Sequence, residues 1–178
     1  MAGLRLKGRI SILVLSFGLW VIKGDIMNSE SSVHVCELHW RGDNTETEAF
    51  SRLHEVALPG GKSVLSGSGT KPQDPAQTNP EELLAAAVGS CMMMTILAVF
   101  SKSRITVLSY DDKPEALLEF VDRRFRVTRV TLKPRIVVRG QVDKDKFDTL
   151  IQKSHSNCFI SLSVKSDVVV EATYVSVD

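Results

Sequence analysis

A chain of 178 residues with 43% hydrophobic content has enough apolar material for one domain with its own core and needs no disulfide or metal staple. A formal net charge of +1, with no lysine-arginine run interleaved with aromatics, argues against nucleic acid as the main partner. Three cysteines, an odd count, argue against a secreted disulfide framework and fit reduced thiols in the cytoplasm.

Residues 1–26 differ in composition from the rest. Lys7 and Arg9 precede the apolar run 10–22, which resembles a signal-peptide core or a short anchor rather than a spanning helix. No small-residue cleavage site is obvious after Ile22, and Met27 opens a polar segment where a cytosolic domain can start. Residues 1–26 are therefore read as an upstream extension outside the fold, with membrane anchoring as the alternative, and 27–178 as a single domain. The run 33–40 alternates as a strand does, Arg41, Gly42, Asp43 and Asn44 form a turn, and 48–58 pairs back as the second arm of a hairpin. Residues 59–78, rich in Gly, Ser, Lys, Pro and Gln, carry no periodicity and read as a long loop.

The stretch 79–100, NPEELLAAAVGSCMMMTILAVF, is the centre of the chain. Asn79 suits an N-cap, Pro80 fits the first helical position, and Glu81 and Glu82 favour the positive end of the helix dipole. Glu82, three residues after the cap, can close a capping box, which leaves Glu81 without a capping duty. Beyond these carboxylates Cys91 is the one ionisable group before Lys102, so the helix is apolar nearly all round and must be enclosed by other elements. Its length permits a membrane span, but alanines, Gly89, Ser90 and Thr95 favour a soluble core helix. A lone buried cysteine is usually an inert small hydrophobe; reactivity requires a cation or hydrogen-bond donor that favours the thiolate.

After the helix, 106–110, 117–121, 125–132 and 135–139 read as strands, 143–154 as an amphipathic helix with Phe147, Leu150 and Ile151 in one stripe, and 164–175 as a closing strand. Cys158 falls between that second helix and the last strand.

TNPEELLAAAVGSC, together with the downstream order of strands, helix, second cysteine in HSNCFISLSV and final strand, resembles the OsmC/Ohr family of osmotically inducible and organic hydroperoxide resistance proteins. The resemblance implies an α+β fold, with a long central helix packed on antiparallel sheets in an intertwined homodimer. It also implies a thiol-dependent peroxidase that reduces organic hydroperoxides in oxidative stress defence. In that reading Cys91 matches the peroxidatic cysteine, Cys158 the resolving cysteine and Glu81 the active-site glutamate. Arg41 is carried over as the arginine, with Arg52 as the fallback. No cofactor is implied; the reductant is an external thiol such as dihydrolipoamide. Phe159 and Met92 depart from the family's usual flanks of the two cysteines, proline and an aromatic respectively. A non-catalytic dimer binding an apolar small molecule is the rival reading.

One consequence is geometric. Ten residues of helix place Glu81 and Cys91 roughly 15 Å apart along the axis, so a site using both needs a second copy of the chain. Zinc is a weaker reading: Cys36-x-x-His39 and His155-x-x-Cys158 supply suitable ligand types, but the spacing matches no common finger and a strand sends positions 36 and 39 to opposite faces.

Overall fold

The computed structural model describes residues 31–45, 50–67 and 76–178; the expected extension 1–26 lies outside them. The first three strands are β1 (Glu37–His39), β2 (His54–Leu58) and β3 (Lys62–Ser66), joined as one antiparallel sheet in that order. The expected hairpin is present, but β1 is shorter than 33–40, and β3 replaces part of the expected loop 59–78. Gly60 and Gly61, with φ of 87° and 75°, make the tight turn that pairs Leu58 with Lys62. Left-handed backbone at two successive positions is what glycine supplies without a Cβ clash.

Helix α1 (Pro80–Lys102) starts as its sequence dictates. Asn79 Oδ1 accepts from the Glu82 N–H at 2.7 Å while Glu82 Oε2 accepts from the Asn79 N–H at 3.2 Å, completing the capping box. Thr78 Oγ1 adds a 2.8 Å hydrogen bond to the same carboxylate.

Strands β4 (Val107–Asp111), β5 (Glu115–Val121), β6 (Arg124–Leu132) and β7 (Arg135–Arg139) follow, then α2 (Lys144–Ser156), α3 (Phe159–Ser163), β8 (Asp167–Val170) and β9 (Thr173–Val177). They build two further sheets, ordered β4-β7-β9 and β5-β6-β8. β4 with β7 and β5 with β6 are antiparallel, whereas β8 runs parallel to β6 and β9 parallel to β7. The closing stretch is therefore two strands rather than one. The chain crosses from one sheet to the other at Pro134, and again between Val170 and Thr173. Hydrogen bonds from Glu171 N to Leu132 O and from Thr173 N to Pro134 O, both 2.8 Å, carry the pairing across the bend.

Ala85, Val88, Met92, Ile96 and Phe100 form the buried stripe of α1, facing Val130, Leu132, Ile136 and Val138 of the sheets and Phe147, Leu150 and Ile151 of α2. The Phe147 ring meets Phe100 edge-on at 5.6 Å between centroids and stacks on Tyr174 at 4.3 Å. Gly89 lets the β4–β5 connection approach: a Cβ there would stand 2.5 Å from Pro114 Cγ. By composition and length α1 could cross a membrane, but its inner stripe is core. The expectation that α1 is enclosed all round is not met within one chain. Ala86, Ala87, Ser90, Met94, Leu97 and Ala98 are exposed, because the sheets and α2 cover only one face.

Candidate functional site: two adjoining thiols and an unpartnered carboxylate

Helical periodicity sets Cys91 one residue from the buried stripe of α1, so its thiol is half-buried at the edge of the core. Cys158 arrives from the other direction. Its N–H donates to His155 O at 3.2 Å as α2 unwinds, and its carbonyl accepts from Leu162 N at 3.0 Å as α3 begins. Both α2 and α3 pack against α1, which brings the Cys158 thiol beside the Cys91 thiol. Cys158 is wholly buried, and both cysteines are free thiols. Burial pushes the Cys158 thiol up; the Ser161 hydroxyl and N–H pull it down, and neighbouring Cys91 adds to the rise. Between the second helix and the closing strands Cys158 opens a short helix.

Tyr110 on β4 is a neighbour that sequence reasoning did not single out. Its hydroxyl donates to Asp112 Oδ2 at 3.3 Å, and Asp112 Oδ1 accepts from Lys133 N at 2.8 Å. Burial raises the Tyr110 phenol well above its ordinary range, with Asp112 and then Cys158 adding to the rise. A strand tyrosine followed by Asp-Asp carries no sequence mark of a thiol 48 residues downstream.

Glu81 lies in the first turn of α1, on a cleft of about 280 Å³ lined also by Asn79, Glu82, Ala85, Pro114 and Ala116. Glu81 Oε2 is buried and has no hydrogen-bond partner among the described residues. An ionised carboxylate is seldom left so. α1 runs unbroken from Glu81 to Cys91, so the two remain apart within the chain, as helix geometry requires. Neither expected arginine meets them here: among the described residues no ion pair or hydrogen bond joins Arg41 or Arg52 to Glu81 or Cys91. Arg41 is exposed, and the Arg52 guanidinium lies 5.3 Å from the centroid of the Phe50 ring. The structure thus brings Cys91 and Cys158 together and leaves Glu81 and the arginines apart. Among the described residues no group of three or more His, Cys, Asp or Glu side chains is disposed to hold a metal ion.

A long helix presenting one thiol to a second, buried thiol, over sheets built from bent strand pairs, defines an α+β dithiol protein. The chain belongs to the OsmC-like protein family, whose model matches residues 71–173. It is 28% identical over 135 residues to the peroxiredoxin OsmC of Escherichia coli, covering 76% of this chain and 92% of that protein. An OsmC-like protein of unknown function from Vibrio cholerae superposes with a TM-score of 0.71 at 29% identity, over 80% of this chain and 100% of that one. An organic hydroperoxide resistance protein from Elizabethkingia anophelis shares the fold at 16% identity, with a TM-score of 0.58 over 83% of this chain and 100% of its own.

Proposed function

We propose that the protein is a thiol-dependent peroxidase that reduces organic hydroperoxides in the reducing cytoplasm, without a resident cofactor. The observation that carries this reading is the placing of one half-buried thiol, Cys91, next to one buried thiol, Cys158. Ionised Cys91 attacks the distal oxygen of the peroxide; the O–O bond breaks, the alkoxide leaves and takes up a proton as alcohol, and Cys91 becomes a sulfenic acid. Cys158 then attacks Cys91 Sγ, the S–O bond breaks, water leaves, and the resulting disulfide is reduced by an external dithiol such as dihydrolipoamide. Met94 and Leu97, three and six residues beyond Cys91 and exposed within one chain, give the rim of the thiol an apolar character suited to an organic peroxide.

Self-association belongs to the same reading. The bare outer face of α1, the exposed Leu38, Leu58 and Leu65 of the first sheet, and the orphaned Glu81 carboxylate are together what a second copy would cover. A homodimer sets Glu81, with Arg41 or Arg52, beside Cys91 of the other copy, where a guanidinium and a carboxylate can orient the peroxide.

The test is consumption of cumene hydroperoxide with dithiothreitol and then dihydrolipoamide as reductant. Wild type is expected to turn over and to prefer this peroxide to hydrogen peroxide. Cys91→Ser drops to the uncatalysed rate, and Cys158→Ser forms a sulfenic acid that it cannot resolve. Wild type inactive with both reductants, with no sulfenic acid on Cys91, would return the protein to the class of small-molecule binders.

A further inference from the structure

Ser161 stands three residues after Cys158, in the first turn of α3, which begins on Cys158. The other serines near this corner spend their hydroxyls in the usual way, donating to the carbonyl four residues back: Ser154 to Leu150 O at 2.7 Å, Ser156 to Gln152 O at 3.0 Å and Ser163 to Phe159 O at 2.7 Å. Ser161 does not. Its Oγ is buried and forms no well-shaped hydrogen bond among the described residues, a state that buried hydroxyls rarely keep without a reason. Cys158, for its part, makes no capping hydrogen bond as a neutral thiol. Cys158 is the N-cap of α3 and Ser161 its third helical residue, the position whose N–H and side chain a cap side chain ordinarily faces, so hydroxyl and N–H lie beside the sulfur and both favour the thiolate against burial.

We propose that Ser161 is a positioning residue for the resolving thiol: its free hydroxyl donates to Cys158 Sγ once that sulfur ionises and holds it against Cys91 for attack on the sulfenic acid. The role presupposes the peroxidase reading. Ser161 keeps its own proton throughout. The proton lost by Cys158 joins the hydroxide released from Cys91, so an S–S bond forms, the S–O bond breaks and one water leaves. The neutral thiol gains little from this donor, whereas a thiolate gains a charge-assisted bond. The hydroxyl therefore acts mainly when resolution is under way.

Among the described residues the titratable groups coupled to the sulfur are Cys91 on α1 and Tyr110 on β4, backed by Asp112. A Cys36→Ser, Cys91→Ser protein leaves Cys158 as the only thiol, and its ionisation is followed by ultraviolet thiolate absorbance, with a cysteine-free protein subtracted to remove tyrosine. Ser161→Ala is expected to raise the midpoint by about one pH unit, and Ser161→Thr to restore it. With all cysteines present, one equivalent of cumene hydroperoxide should oxidise Cys91 at the wild-type rate in Ser161→Ala, while disulfide formation at neutral pH slows roughly tenfold. Should Ser161→Ala melt early, Ser161→Val against Ser161→Thr gives the same comparison at equal side-chain volume. A midpoint unmoved by loss of the hydroxyl would overturn the proposal. A wild type that forms no sulfenic acid would overturn the peroxidase reading, and the role in resolution with it, while the titration still decides whether Ser161 holds the sulfur.

Discussion

Around Cys158 one chain covers the thiol itself: α2 and α3 pack on α1, Phe147 sits between Phe100 and Tyr174, and Cys158 is fully buried, with Phe159 and Leu162 of α3 left exposed on the outside. The first sheet is built on other terms. β1 is exposed along its length, Trp40 and Leu38 face outward, and Val56 lies outside the main core cluster. The sheet is tied to α1 through the bridge between Ser66 and Thr78, with Gly67 N on Thr78 O and Thr78 N on Leu65 O, both 2.9 Å. The difference separates two halves of the proposed chemistry: disulfide formation needs only one chain, whereas the carboxylate and arginine need a second.

The sharpest way to break this comparison is to cut each region separately. Phe147→Ala removes a buried ring from the corner that one chain completes and should cost about 3–5 kcal/mol in denaturant unfolding. Leu38→Ala, at a side chain 66% exposed, should leave each subunit's unfolding within about 0.5 kcal/mol yet weaken self-association, read by sedimentation. Equal destabilisation by the two would show that the first sheet is part of the same core and needs no partner.

Much of the self-sufficient region was legible in the sequence, and the reasons are local. Asn79, Pro80 and Glu82 announced the helix start, and the Phe147, Leu150, Ile151 stripe announced α2. The limits 135–139 matched β7, because Pro134 fixes where that strand can begin. The failures were tertiary. Lys62–Ser66 lacks clear alternation because its sheet is half bare, so Gly60-Gly61 was read as loop composition instead of a hairpin turn. Phe159–Ser163 has strand-like composition yet forms a short helix beside α1, which composition does not foretell. No spacing rule predicts that Cys91 and Cys158 adjoin; the pairing of roles came from family resemblance, and their proximity from the meeting of α2 and α3 with α1.

Gly89→Ala asks how rigid the inner face of α1 is against the sheets. Alanine favours helix by about 1 kcal/mol over glycine, but its Cβ would fall 2.5 Å from Pro114 Cγ, and overpacking of this kind costs about 1–3 kcal/mol. The neighbour is a ring in a connection anchored by Asp112 on Lys133 N, so it yields little. A net loss of roughly 1 kcal/mol is expected in thermal unfolding. A gain would mean that the connection moves freely, and that the approach of β4 and β5 to α1 is looser than the region around Cys158.

The smallest expected effects on stability separate scaffold from chemistry within a single helical turn. Asn79→Ala removes the side-chain acceptor for Glu82 N and half of the capping box, so it should lower stability by about 1 kcal/mol. Peroxide turnover per folded molecule should hardly change. Glu81→Gln should do the reverse. Glu81 Oε2 has no partner to lose among the described residues, so unfolding should shift by no more than about 0.5 kcal/mol, while turnover falls roughly a hundredfold if Glu81 orients the peroxide in a dimer. Denaturation and peroxide assays on the two variants measure this crossing directly. If Glu81→Gln kept full turnover, the orphaned carboxylate would be a feature of the helix start alone, and the case that a second copy completes the site would rest on the bare apolar faces.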